Sequence, residues 1–308
     1  MIRLVFALWM LASAWSNVYA SALYPDEPAG WNQLVRHQFS DKTNGGVCVD
    51  YYPSQTYAMI LGSPSMGISP PNFLREIKPA GSDIGGTQLE CFFPARSGVF
   101  WGFNLRTSNP FGGYNNGMNK IGFVMSTGPG SGAAWGLHYY GASNGSRVIA
   151  IFLQSGPAAG NNCHVSSTFG DCAGGVMEFL PNVNSAPIAE GVEHRVEVTM
   201  VRSTTNTSQN GILRIVIDGV LRTYQTNVNF PQFDFVSVQT NHTWDGQCSQ
   251  RNPAVGPTTP PNDCRPYDDY YDWGDWYVSS GVGGVSPSPT PPPPPPLPPN
   301  MPTNLRVQ

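Results

Sequence analysis

Short runs in which apolar and polar residues alternate recur along most of the chain. They cover Thr87–Phe93, Val99–Thr107, Asn119–Ser126, Ala134–Gly141, Arg147–Gln154, Glu193–Arg202, Ile212–Asp218, Phe233–Thr240 and Asp272–Ser279. Each is rich in Val, Ile, Phe, Tyr or Trp, and segments of Gly, Asn, Pro and Ser separate them. A two-residue period with such punctuation predicts β-strands. No stretch of helical length carries a 3.6-residue period. Many strands without helices predict an all-β sandwich or barrel. Between IVI and VLRTY, Asp218-Gly219 predicts a two-residue hairpin turn, because that turn needs positive φ and Gly supplies it.

Alternation also assigns faces, since successive side chains of a strand point to opposite sides. In VFWGFNLRT, Trp101, Phe103 and Leu105 form the core side, with Asn104 and Arg106 opposite. In NKIGFVM, Ile121, Phe123 and Met125 oppose Lys120. In WGLHYYG, Trp135, Leu137 and Tyr139 oppose His138 and Tyr140. Gln154 shares a face with Phe152 and opposes Leu153. If the polar faces line one groove, its inventory is Asn104, Arg106, Lys120, His138, Tyr140 and Gln154.

Composition narrows the class. Of 308 residues, 40% are hydrophobic and 12% charged, enough for a core and too few charges for a disordered chain. The net charge of −4, with no Lys/Arg cluster, argues against nucleic acid as a partner. Residues 1–20 read as a signal peptide: basic Arg3, the apolar run Leu4–Leu11, and small residues before Ser21. That run is too short to span a bilayer, so a secreted, extracellular protein without a membrane span is expected, and a monomer. The sandwich then occupies residues 21–281. SPSPTPPPPPPLPP in residues 282–300 lacks the N–H donors of a strand and predicts a semi-rigid polyproline linker. Residues 301–308, with PTNLRV, look like the start of a fibronectin type III module, as in a longer multidomain chain.

Six cysteines behind a signal peptide imply disulfides. Pairing nearest neighbours gives Cys48–Cys91, Cys163–Cys172 and Cys248–Cys264, the last two bracketing loops rich in Gly, Asn and Pro. Spacing alone leaves other connectivities open. Without CxxC or paired Cys/His spacing, a zinc site is not expected.

The order of the segments VFWGFNLRTSNPF, NKIGFVM, EHRVEVTMVR, NGILRIVIDGVLRTY and YYDWGDWYVS resembles concanavalin-A-like lectin/glucanase jelly rolls. It is most similar to secreted bacterial members of the polysaccharide-lyase type, from about Trp31 to Ser280. The resemblance implies two antiparallel sheets, the front one concave and used for glycan. One fold hosts many activities, so the chemistry must come from the site.

The polar inventory suits β-elimination of a uronate polysaccharide. A cation or amide must neutralise the sugar carboxylate, a base must remove the neighbouring proton, and an acid must protonate the leaving oxygen. Arg106, Asn104 or Gln154 is the candidate for the first task, His138 for the second and Tyr140 for the third, with Lys120 as a further substrate contact. A carboxylate pair for hydrolysis is not evident: Glu193 and Glu197 flank Arg195 and read as a surface charge ladder. RPYDDYYDWGDW sets four aspartates among aromatics, which suits a sugar contact through Asp275 or a Ca²⁺ site. Alternation puts only one of Trp273 and Trp276 in the core. No other cofactor is implied. Asn144, Asn206 and Asn241 begin glycosylation sequons. The leading expectation is a secreted domain that binds a polysaccharide. The alternatives are a lyase on a uronate glycan and a non-catalytic surface or adhesive protein.

Overall fold

A computed structural model describes residues 24–51, 59–61, 72–78, 88–112, 119–127, 134–140, 148–155, 188–205, 208, 210–228, 230, 234–240 and 268–281. The expected signal peptide, the pairs Cys163–Cys172 and Cys248–Cys264, the asparagines of the three sequons, the polyproline linker and the fibronectin-like end lie outside the described residues.

Fourteen strands are present among the described residues. They are β1 (Asn32–His37), β2 (Cys48–Asp50), β3 (Met59–Leu61), β4 (Leu74–Lys78), β5 (Leu89–Arg96), β6 (Gly98–Thr107) and β7 (Asn119–Ser126). There follow β8 (Ala134–Tyr140), β9 (Val148–Ser155), β10 (His194–Val201), β11 (Gly211–Ile217), β12 (Val220–Val228), β13 (Phe235–Thr240) and β14 (Asp269–Ser280). All nine predicted strands are found, with ends shifted by a few residues. The β11–β12 turn is the expected hairpin, with Asp218 and Gly219 both at positive φ (54° and 76°).

The strands form two antiparallel sheets. The eight-stranded sheet runs β12-β11-β10-β6-β14-β4-β3, and β1 also pairs with β14. β4 takes the first half of β14 (Asp269–Trp273) and β1 the second (Trp276–Ser280). The six-stranded sheet runs β2-β5-β13-β7-β8-β9. The core lies between them: Trp101, Phe103, Val198 and Ile215 from the larger sheet meet Leu89, Val124, Leu137 and Val238 from the smaller. The disulfide Cys48–Cys91 ties β2 to β5 at directly paired positions.

Two bulges break the alternation on which the sequence faces rest. In β14, Gly274 pairs with Asn104 and Tyr277 with Gly102, so Asp275 and Trp276 together face Phe103. Asp275 takes up the extra residue at φ 47°. Both Trp273 and Trp276 are therefore core residues at 0% exposure, which corrects the expectation of only one. In β7, Lys120 pairs with His138 and Gly122 with Leu137, leaving Ile121 as the extra residue. Ile121 and Val124 enter the core, and Phe123 and Met125 do not. A Cβ on Gly122 would come within 3.3 Å of both Trp101 and Trp273. Phe123 and Met125 thus share the outer face with Lys120, contrary to the sequence reading.

A segment before β1 lies across the outer face of the eight-stranded sheet. Tyr24 stacks on Tyr277 (centroids 5.3 Å apart), and a Cβ on Gly102 would lie 2.5 Å from the Tyr24 ring. Asp26 pairs with Arg214, and its N–H donates to Glu197 at 3.0 Å. Glu197 is therefore no surface ladder residue: it is 1% exposed, held by Arg195 at 2.8 Å under the strap. Burial pushes its carboxyl up to about 7 against the lowering effects of the Asp26 N–H and Arg195. A carboxyl raised in the folded state binds its proton more tightly there than in the unfolded chain, so stability falls as pH rises from about 4.5 to 7. Chemical denaturation across that window should show the fall in the native protein, with Glu197→Gln flattening it. An unchanged slope in the variant would place the proton elsewhere.

Candidate functional site

The outer face of the six-stranded sheet can be read from pairing, because directly opposed residues of an antiparallel ladder share a face. One row runs Val49, Glu90, Gln239, Phe123 and Gly136 across β2, β5, β13, β7 and β8. The next holds Phe92, Ser237 and Met125. On the other side of the first row, Lys120 stands opposite His138.

Polar side chains on this face are buried, and they bond to one another. Ser237 donates its hydroxyl to Glu90, and Gln88 donates its amide to Gln239. Gln239 Nε2 reaches Met125 Sδ at 3.2 Å. Glu90 also holds the Tyr51 hydroxyl; burial, then the Glu90 charge and this hydrogen bond, raise the Tyr51 phenol above its usual range. Lys120 is 6% exposed. A sheet face that merely met water would not bury a lysine, a glutamate and a glutamine. Of the sequence-predicted residues, the backbones of His138 and Tyr140 lie in β8 and that of Gln154 in β9, all in this sheet. Gln154 falls in a register shift, between Leu153 paired with Trp135 and Ser155 paired with Ala134.

Arg106, Asn104 and Asp275 lie elsewhere. β6 and β14 belong to the eight-stranded sheet, and the polar residues of β6 face away from the core on its far side. The single groove expected from the sequence is therefore two separate faces, on opposite sides of the sandwich. Arg106 donates Nη2 to Asp272 at 2.6 Å, and Arg75 donates Nε to the same carboxylate at 2.7 Å. Arg75 also lies 3.9 Å over the Tyr270 ring. Asp275 accepts from Arg36 at 3.1 Å and from the Tyr24 hydroxyl at 3.2 Å. These groups fasten β14 to β4, β6 and the N-terminal strap. Arg106 and Asp275 thus have charged partners within the protein.

The aspartate tract is likewise engaged. Asp269 accepts from Ser108 Oγ at 3.1 Å and from the Gly112 N–H at 2.9 Å. Among the described residues, no group of three or more His, Cys, Asp or Glu could hold a metal ion. No helix among the described residues is long and apolar enough to cross a membrane.

Sequence reasoning missed Glu90, Ser237, Gln239 and Gln88. Glu90 and Gln239 sit at alternate positions in LECFF and FVSVQT, so period 2 could have placed them opposite Leu89 and Val238.

No protein-family model matches the sequence, and no curated protein matches it. Solved structures do. An alginate lyase, Aly36B, in a variant bound to an alginate trisaccharide, aligns with 83% of this chain and 97% of its own at 14% identity and a TM-score of 0.52. The fold is a jelly roll. The marine PL-14 alginate lyase from Aplysia kurodai aligns with 80% of this chain and 98% of its own, at 11% identity and a TM-score of 0.51. An endo-β-1,4-glucuronan lyase from the fungus Trichoderma reesei aligns with 82% and 95%, at 14% identity and a TM-score of 0.49. At such identity the likeness establishes the jelly roll and leaves the residues of the site to be argued from this chain.

Proposed function

We propose that the domain is an extracellular polysaccharide lyase that cleaves a uronate-containing glycan by β-elimination on the outer face of its six-stranded sheet. The observation that carries this reading is the burial of Glu90 and Gln239 in one row and of Lys120 beside it on a face outside the core, with His138 at the register position opposite Lys120. Two of the solved structures that share this fold are named for alginate lyases, and one of them holds an alginate trisaccharide. They support turnover over binding alone, the leading expectation from sequence. The disulfide Cys48–Cys91 supports an oxidising, extracellular setting.

In this reading Lys120, with the amide of Gln239, neutralises the sugar carboxylate, which makes the adjacent C5 proton removable. His138 takes that proton, the C5 electron pair forms the C4–C5 double bond, and the bond from C4 to the linking oxygen breaks. Tyr140 gives the departing oxygen its proton. Positions opposite each other on neighbouring strands have Cβ atoms about 5 Å apart, and i, i+2 positions on one strand lie about 7 Å apart. Lys120, His138 and Tyr140 thus fit within the length of about one sugar linkage.

The test is a screen of secreted protein on alginate, glucuronan, pectin and glycosaminoglycans, following the ultraviolet absorbance of unsaturated ends. Absorbance growth on a uronate polymer is the expected result. Tight binding without it would leave a carbohydrate-binding module. No binding at all, with a protein ligand recovered instead, would favour an adhesive role.

A further inference from the structure

The six-stranded sheet does not end its outer face at the polar row. Val47, Val49 and Tyr51 along the β2 edge, and Phe92 on β5, are all at least 40% exposed, with Tyr51 at 47% and Phe92 at 43%. Pairing places them on one face: Val49 opposite Glu90, the Phe92 N–H bonded to the Val47 carbonyl, and the Tyr51 N–H bonded to the Gln88 carbonyl. β2 is the terminal strand of the sheet, so this apolar strip forms its margin. The strip and the row are continuous. Phe92 is paired with Ser237, and Glu90 is bonded both to Ser237 and to the Tyr51 hydroxyl.

We propose that this margin, with Tyr51 and Phe92 as its rings, is a stacking subsite that holds sugar units of the same polysaccharide beyond the reacting linkage. The inference rests on the lyase reading for the identity of the chain but not for the stacking itself. A pyranose is amphipathic: its C–H faces are apolar and its rim carries hydroxyls. Covering an exposed ring with such a face removes apolar surface from water on both partners. Glu90 lies at the boundary, where a carboxylate accepts hydrogen bonds from sugar hydroxyls. Bonding to Glu90 also fixes the Tyr51 side chain, so less rotational freedom is lost when a sugar lands on it. Exposed apolar strips of this kind mark contact surfaces. A polysaccharide running off the polar row is the occupant that suits two exposed rings beside a hydrogen-bonding row.

Affinity electrophoresis of the secreted protein through gels containing alginate, glucuronan or pectin tests the subsite without requiring turnover. Tyr51→Ala and Phe92→Ala should each weaken retention, with the apparent Kd rising about ten-fold. Tyr51→Phe keeps the ring and should be retained nearly as well as the native protein. The half-exposed positions should leave the unfolding midpoint of all three variants close to native. Retention that depends on the rings, without any unsaturated ends, would support the subsite and overturn the lyase reading. Unsaturated ends with retention indifferent to ring removal would overturn the subsite alone. Absence of retention on every polymer, or a change of oligomeric size in Tyr51→Ala with unchanged retention, would also overturn it; the latter would assign the strip to a second copy of the chain.

Discussion

Replacing His138 with alanine is expected to stop release of unsaturated ends from a uronate polymer, by roughly 10²–10⁴-fold, while binding persists. The expectation follows from where β8 runs. His138 is paired with Lys120, and the buried amide of Gln239 lies on the same face, so a carboxylate neutralised there presents its neighbouring proton to β8. Lys120→Ala should act differently: it removes a charge that meets substrate in the ground state and the transition state, so KM should rise as kcat falls. Arg106→Ala provides the contrast. Arg106 is bonded to Asp272 on the other sheet, so its loss should lower stability and leave the chemical step in place. Kinetics of the three variants on one polymer decide the matter. A chemical step lost in Arg106→Ala and kept in His138→Ala would move the site to the eight-stranded sheet.

The largest loss of stability is expected from Asp272→Ala. Asp272 is fully buried and answers two arginines, Arg75 and Arg106, from strands on either side of β14. Removing the carboxylate leaves two guanidinium groups in a partly desolvated place, where breaking such a pair typically costs about 3–5 kcal/mol. In a domain of this size each kcal/mol lowers Tm by about 2–4 °C. Calorimetry should therefore show a fall of roughly 10 °C. A shift of only a degree or two would mean that water already solvates the pair.

The fold was largely legible because period-2 alternation is a strong signal wherever one face of a strand is buried. β6, β7, β10 and β13 carry it plainly. β1, β2, β3 and β4 were missed, being short or, like LREIK, interrupted by charge at sheet margins. Face assignments failed where a bulge intervened, since one extra residue resets the alternation without altering composition. Ile121 in β7 and Asp275 in β14 are the two cases, and the second made a pair of core tryptophans look like one core and one surface ring. The site was half legible for a different reason. Alternation sets positions 106 and 138 opposite the apolar residues of their strands, but does not say which sheet each strand joins. That depends on which strands pair, and β6 joins β10 and β14 whereas β8 joins β7 and β9.

The most direct test is a crystal structure of His138→Ala with a bound uronate oligosaccharide. The sugar chain should lie across the six-stranded sheet, over Gln239 and Lys120, with one carboxylate against Lys120 and its C5 proton directed at position 138. A chain seated instead on the eight-stranded sheet against Asn104 and Arg106 would contradict the account.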